Sequence, residues 1–578
     1  MVDSFKKRGQ KFLRKFSRVS VKASTEGKEH IKENLIQRLS HIQNIRLLVL
    51  EWSLLVLALI MIAATQAFWF GNSYASDVFV DGGSYTEATI GKVNSMNPLF
   101  ATTSSEKVLS KLMFATLTEI DYSGNPGLGL IKSLRAEEDG KVWKIKLRDN
   151  LKWSDGEPLT NEDVLFTINL IQDPAVKSIY EPNLKGVKVA ENENGEIVFT
   201  LAAAYADFAT ALEIPVVPKH ELEDAIIKNL VEDDFSTTPV TSGAFTFNAL
   251  QSVAASDEEV VYLTANPNYY LGRPMLNSFA VHTYADREDI IDAINNGVVT
   301  ATAELSGIDA NKVTSSAFYK KDSGIAAGVF MFFNTTSANL KNVNLRSAIR
   351  GGIDISAVRA AAPDTIALNY PLISSQIQLS DYPQIPGYDF DAAKAKIDEI
   401  KGETQFHLDI ATVKSGYLPD VSNVTKEQLE ALGIEAQVTV YDETQDFIAN
   451  VISKRSYDIL IYEIELGADP DPLPYYHSSQ ASTSGLNLSN YSNSLVDDLL
   501  VGARETLDPA LRAKKYESFL DYWISDVPAI GLYQANLTYI YNKNVRTYNN
   551  DVRLVSTIDR FSDILNFAAV KAGRNKTP

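Results

Sequence analysis

The sequence predicts an α/β protein built from sheet-bearing lobes and preceded by one membrane helix. Three observations lead there. Helix-period and strand-period segments alternate from about residue 78 to residue 545. The run 329–333 (VFMFF) has the character of a strand buried on both faces. Residues 47–70 are apolar, broken only by Glu51, Ser53, Thr65 and Gln66.

The N-terminal elements follow from charge and length. The chain carries a formal net charge of −19, yet residues 1–46 hold twelve Lys or Arg against four Asp or Glu, a local +8 that leaves −27 for the rest. The segment 47–70 is long enough to span a bilayer with some tilt. Trp52 and Trp69 flank it at interfacial depths, and the basic arm before it stays inside by the positive-inside rule. Everything after Gly71 then lies outside, so the expected location is the cell membrane, single-pass, with a cytoplasmic N-terminus. A cleaved signal with a site at Ser73-Tyr74-Ala75 is the competing reading, but the arm and the apolar run are both long for one. Phe5, Phe12, Leu13, Phe16 and Val19 among the arm's charges suit contact with anionic lipid.

The exported elements follow in order. Residues 78–80 start a strand and 81–84 make a turn. A helix is expected over 104–117. Strand and turn signals dominate 120–200, with helices at 161–171 and 218–230. Further strands are expected at 245–247, 260–263 and 329–333, and a helix over 345–362. Asp389 caps a helix through Glu399. Strands at 406–411 and 435–440 surround a helix at 425–432, and 458–462 is another strand. Helices at 494–503 and 509–524 precede a last strand at 530–541. The segment 147–164, LRDNLKWSDGEPLTNEDV, reads as a strand end, a tight turn at Asp155-Gly156 and a helix start. Thr160 with Asp163 forms a variant capping box, and Val164, Leu165, Ile168 and Ile171 make an apolar stripe.

Several chemistries are excluded. There is no cysteine, which removes disulfides, thiol catalysis, Cys-ligated zinc and lipid attachment through an N-terminal Cys. No Gly-x-Ser-x-Gly elbow, phosphate-binding Walker loop or His-Glu-x-x-His is present. The six histidines are scattered. His220 sits in a Pro-Lys-His turn and His477 follows an acidic loop. Glu463 and Glu465 share a strand face and are explained by solvation. Neither an enzyme nor a metal or cofactor site is expected, and the acidic exterior argues against nucleic acid as a partner.

The ordered pieces resemble family 5 of the bacterial extracellular solute-binding proteins, the oligopeptide- and dipeptide-binding subunits of ABC importers. The resemblance runs from about residue 82 to 545. It rests on Gly82-Gly83, MNPL at 96–99, the 147–164 segment, Asp173-Pro174, Val217-Pro218-Lys219-His220 and NPNYYLGRP at 266–274. Phe333-Asn334, LRSAI at 345–349 with Asp354, YDFDAAK at 388–394 and GADPDP at 467–472 follow. Two departures stand out. The family's Gly-Thr-Gly-Pro-aromatic turn is VTSGAF at 240–245, and its aromatic before Gly-Ala-Asp is Leu466.

The resemblance implies a two-lobed periplasmic-binding-protein fold with an extra domain inserted in lobe I. The expected boundaries are a basic arm 1–46, an anchor 47–70, lobe I from 77–116, 237–333 and 528–565, the inserted domain 117–236, lobe II 334–527 and a tail 566–578. Hinge crossings fall at Phe333, Asn334 and Pro528. An extended peptide would pair its backbone with Thr102, Thr103 and Ser104 of lobe I and with Glu465, Leu466 and Gly467 of lobe II. Asp469 would hold its ammonium, because a buried charge needs a partner. On the residues alone, Asp469 also reads as the cap of a turn in a rigid loop, and 102–104 as the approach to a helix capped by Ser104. The implied partners are a peptide, a permease and a separate ATPase, with the protein acting as a monomer. A surface solute sensor or adhesion protein without transport coupling is the alternative.

Overall fold

The computed structural model describes residues 46–571 except 74–77, 80–81, 122, 226–228, 253–257, 364, 374–375, 378, 403–404, 443–446 and 550. The basic arm with Phe5, Phe12, Leu13, Phe16 and Val19 lies outside the described residues, as do Tyr74 and Ala75 of the alternative cleavage site and 572–578 of the tail.

The chain divides into two compact units. The first contains the helix Arg46–Ser73, 28 residues long. Its large apolar side chains from Leu50 to Ile62 are exposed, Trp52 and Leu57 included. Thr65 hides its hydroxyl by donating to the Met61 carbonyl at 2.7 Å. Among the described residues no helix is long and apolar enough to cross a membrane. The exposed stretch 52–66 rises about 22 Å, against a hydrocarbon core of about 30 Å.

The second unit, Phe79–Lys571, is organised by one mixed sheet. Its strands run in the order Glu435–Tyr441, His407–Val413, Ile459–Glu465, Phe318–Phe333, Ala529–Asn542, Ala301–Thr302, Ser84–Ile90, Ser278–Tyr284, Glu259–Ala265 and Phe245–Ser252. Parallel pairing, as expected of α/β lobes, appears towards both ends: Ser84–Ile90 beside Ser278–Tyr284, and His407–Val413 beside both its neighbours. The centre is antiparallel.

Two long strands at that centre join two separate apolar cores. Phe318–Phe333 pairs with Ala529–Asn542 from Phe318↔Asn542 to Gly324↔Asn536, slips register, and resumes at Gly328↔Gln534. Core membership changes at the same place. Ile325, Ala535 and Leu537 pack in the first core; Val329, Phe330, Leu532 and Tyr533 pack in the second. Gly328 leaves room there for the Leu368 and Phe330 side chains, which a Cβ on it would crowd.

The change of core lies away from Phe333, Asn334 and Pro528, where the hinge is expected. Phe333 is fully buried in the second core and its N–H donates to the Pro528 carbonyl at 2.9 Å. Asn334 donates its side-chain amide to the carbonyls of Arg455 and Tyr457 at 3.2 and 3.0 Å. The VFMFF run is apolar because it is the centre of the second lobe's sheet, not because it is a stiff connector.

Strands between 118 and 200 form sheets of their own. Ile131–Glu137, Val142–Leu147, Ile197–Thr200 and Lys188–Glu191 make a four-stranded antiparallel sheet whose apolar face joins the first core. The 147–164 segment is the brace of this region. Thr160 caps the helix Asn161–Gln172 in a capping box with Asp163, as expected. Asp163 also accepts from the Lys219 N–H at 2.9 Å, and His220 Nε2 meets Asp155 at 2.9 Å over the fully buried Trp153. Gly243 lets its loop lie on the end of the helix Ser104–Met113, where its N–H donates to the Met113 carbonyl at 2.7 Å.

Two helices differ from expectation. The helix expected over 218–230 is a single turn, Lys219–Leu222, within the described residues. The helix expected over 345–362 is two, Val343–Gly352 and Ile355–Ala360, because Asp354 caps the second by accepting from the N–H groups of Ser356 and Ala357.

Candidate functional site

A cavity of about 490 Å³ opens where the long strands cross between the cores. Asp322 and Arg553 line it from the first lobe, Gln376 and Ala468 from the second, and Gly324 and Gln534 lie at the crossing. A neighbouring cavity of about 130 Å³ also touches Asp322 and reaches Tyr417 and Glu463. Solute sites usually need several hundred Å³, which favours the larger.

Three polar side chains at the larger cavity, Asp322, Gln376 and Gln534, are held by the local fold. Asp322 stands opposite Thr538 in the ladder and accepts its hydroxyl at 2.6 Å. Lys321, next in the strand, points the other way and stacks over the Tyr548 ring at 3.5 Å. Burial lowers the Lys321 ammonium to about 8, against a weak opposing pull from Asp563. Gln376 donates its amide nitrogen to the carbonyls of Gly467 and Ala468 at 2.5 and 3.4 Å. That fixes its orientation and leaves Oε1 buried without a hydrogen-bond partner among the described residues. Gln534 donates to the Ile325 carbonyl at 2.8 Å and ties the crossing together.

The sequence-predicted residues divide. Glu465 ends its strand opposite Ala327, and the Leu466 N–H donates to the Ala326 carbonyl at 2.7 Å. Gly467 lies beside the cavity through Gln376. The carbonyls of Glu465 and Gly467 are taken by Tyr475 and Gln376. Leu466, where the family has an aromatic, is buried in the second core.

Residues 102–104 do not form a strand. Thr103 is the N-cap of Ser104–Met113 in a capping box with Glu106. The Glu106 carboxylate accepts the N–H groups of Thr102 and Thr103 at 2.9 and 3.0 Å. Those hydrogen bonds outweigh burial and hold its pKa below the ordinary glutamate value. Ser104 donates its hydroxyl to Glu304. None of the three lines the 490 Å³ cavity.

Asp469 is buried, 7% exposed, and both its oxygens face one guanidinium nitrogen of Arg512 at 2.5 and 2.6 Å. Burial pushes its carboxyl up from the ordinary value while Arg512 opposes the rise. Beside it Asp471 is paired with Arg504, which stacks on Tyr205, and the Ala206 N–H donates to the Arg504 carbonyl at 2.7 Å. Asp207 completes the cluster, and burial followed by the Asp469 charge pushes it up to about 7. Asp469 is thus paired within the second lobe, and the adjoining Arg504 meets the 118–236 region at Tyr205 and Ala206. No local signal in the sequence reveals Arg512 as its partner.

Asp155, His220 and Glu221 bring donor atoms within 4.8 Å of one another. All three are exposed, and the His220–Asp155 contact already braces the tight turn. His477 accepts the Ser479 N–H on Nδ1 at 3.0 Å, a capping role.

Residues 125–487 match the model of the bacterial extracellular solute-binding proteins, family 5. The chain is 23% identical over 490 residues to the oligopeptide-binding protein AppA of Bacillus subtilis, covering 81% of this chain and 89% of AppA. Its fold resembles that of the ABC-transporter substrate-binding protein CtaP of Listeria monocytogenes, with a TM-score of 0.75 at 23% identity over 85% of this chain and all of CtaP. It also resembles NikZ of Campylobacter jejuni, solved with Ni(L-His), with a TM-score of 0.71 at 21% identity over 84% of this chain and 99% of NikZ.

Proposed function

The chain belongs to family 5 of the bacterial extracellular solute-binding proteins, and from that membership we propose that it is the membrane-anchored solute-capturing subunit of an ABC importer, closing its two lobes on peptides and presenting them to a permease driven by a separate ATPase. The observation that carries this reading is the 490 Å³ cavity at the crossing of two strands shared by two cores. Such a crossing lets the lobes rotate while each core stays packed, so a guest that touches both lobes stabilises the closed form. The oligopeptide-binding name of the Bacillus relative supports a peptide as that guest.

The anchor reading rests on the helix Arg46–Ser73. Its large apolar side chains from Leu50 to Ile62 are exposed, and Thr65 satisfies its hydroxyl on its own backbone, as a polar group in lipid must. The net +8 of residues 1–46 supports an inside position for that end.

Native mass spectrometry of the full chain, purified from its membrane in mild detergent, tests the capture reading. The expected spectrum shows bound peptide mass lost on collisional activation. A bare chain that also stays bare after incubation with a peptide digest rules the reading out.

A further inference from the structure

Resting on the reading that the crossing cavity is the ligand site, we infer that Asp322 and Arg553 are the residues that hold the two ends of a zwitterionic guest, an ammonium on Asp322 and a carboxylate on Arg553, with Gln376 accepting an N–H from the guest between them.

Three observations carry this. First, Asp469 is paired with Arg512 and does not line the cavity, where Asp322 is the one acidic lining residue among those described. Asp322 is an acid on the cavity wall; among the described residues its hydrogen bond is one neutral hydroxyl, from Thr538, which occupies part of its accepting capacity. Lys321 beside it is committed to Tyr548 on the other side of the strand. Second, Arg553 lines the same cavity, and among the described residues it makes no ion pair or hydrogen bond. A guanidinium presents a planar fork of donors suited to a carboxylate. Third, Gln376 is fixed by two carbonyls with a buried acceptor oxygen left over. A buried acceptor without a partner is costly, and an N–H from a bound guest would relieve it.

The placement also gives a closing force. Asp322 and Arg553 come from the first lobe, Gln376 from the second. A guest held by its charges on the first lobe and by its amide on the second bridges the crossing. An amino acid and a short peptide share the end charges, but the amino acid has no internal amide for Gln376.

Calorimetry on the full chain in detergent tests the assignment with alanine, di-, tri- and tetra-alanine, N-acetyl-trialanine and trialanine amide. The variants are Asp322→Asn, Arg553→Gln and Asp469→Asn, each checked for its melting temperature. Wild type is expected to bind at least one free oligoalanine at least tenfold more tightly than alanine and than the blocked trialanines. Asp322→Asn should weaken the free peptide at least tenfold while binding N-acetyl-trialanine as wild type does. Arg553→Gln should do the same for the amide. If wild type binds the peptides but both variants discriminate the blocked forms as wild type does, this assignment falls and the capture reading stands. If no oligoalanine binds while a peptide digest does, the assignment to peptide ends also falls. If neither binds, both readings fall.

Discussion

Asp469 and Arg512 lie 43 positions apart in the chain and meet at 2.5 Å in the second lobe, tying the loop after the strand Ile459–Glu465 to the helix Pro509–Asp526. The pair is 6% and 13% exposed at its side chains, so it is shielded from water rather than a surface contact. Its consequences are mechanical. It fixes the turn that carries Gly467 and Ala468 past Gln376 into the cleft.

Asp469→Asn leaves the Arg512 charge buried against a neutral amide. Breaking one side of a buried pair costs about 3–5 kcal/mol. The expected outcome is a clear fall in melting temperature, with peptide affinity of the folded fraction changed less than about threefold. Chemical denaturation and calorimetry on one preparation separate the two. An unchanged melting temperature with lost affinity would return Asp469 to the ligand site.

Glu87 and Arg560 form a second such pair beneath the first lobe, 0% and 1% exposed, with contacts of 2.6 and 2.9 Å. Burial pushes the Glu87 carboxyl up and Arg560 pulls it back. Arg560→Met should destabilise by about 3–5 kcal/mol, because among the described residues Glu87 is left with the Tyr539 hydroxyl alone. Glu87→Leu combined with Arg560→Met should recover most of that loss. Urea denaturation of the three variants decides; a double variant as unstable as the single one would contradict the pairing.

The pH dependence follows from Asp207 and Glu213, both pushed up to about 7, chiefly by burial. Between about pH 4 and pH 7 the folded chain keeps protons that the unfolded chain has released. These groups therefore favour folding more as the pH falls through that window, and oppose it above pH 7. Asp207→Asn removes one of them and keeps an acceptor for the Thr210 hydroxyl, now at 2.6 Å. Its melting temperature should exceed that of wild type at pH 8, and the gap should close by pH 5. A gap that is constant across that range would show that Asp207 titrates as an ordinary surface acid.

Local chemistry was legible in the sequence and long-range pairing was not. The Thr160 and Asp163 cap could be read because both partners sit within one turn. The apolar run 329–333 announced a buried strand, since burial on both faces leaves no polar alternation. Its first half could not be read. Tyr319, Lys320 and Asp322 are exposed, and the residues between them carry no core signal, although they continue the same 16-residue strand. That is why the sequence puts the crossing at Phe333, later in this strand than the change of core, and at Pro528, earlier than the change of core in its partner strand. Asp322 and Arg553 were missed for a related reason: the chain brings them to one cavity from distant segments, and neither stands in a motif. Thr102, Thr103 and Ser104 carried both possibilities, and Glu106 decides between them by taking up their N–H groups.

Lobe closure on a guest can be measured directly, because the chain has no cysteine to remove. Tyr262→Cys on the first lobe and Glu430→Cys on the second are exposed sites for a pair of spin labels. Pulsed electron resonance on the full chain in detergent should show a broad distance distribution that narrows to a shorter one when a peptide digest is added at saturation. A distribution that is the same with and without peptide would contradict capture between the lobes.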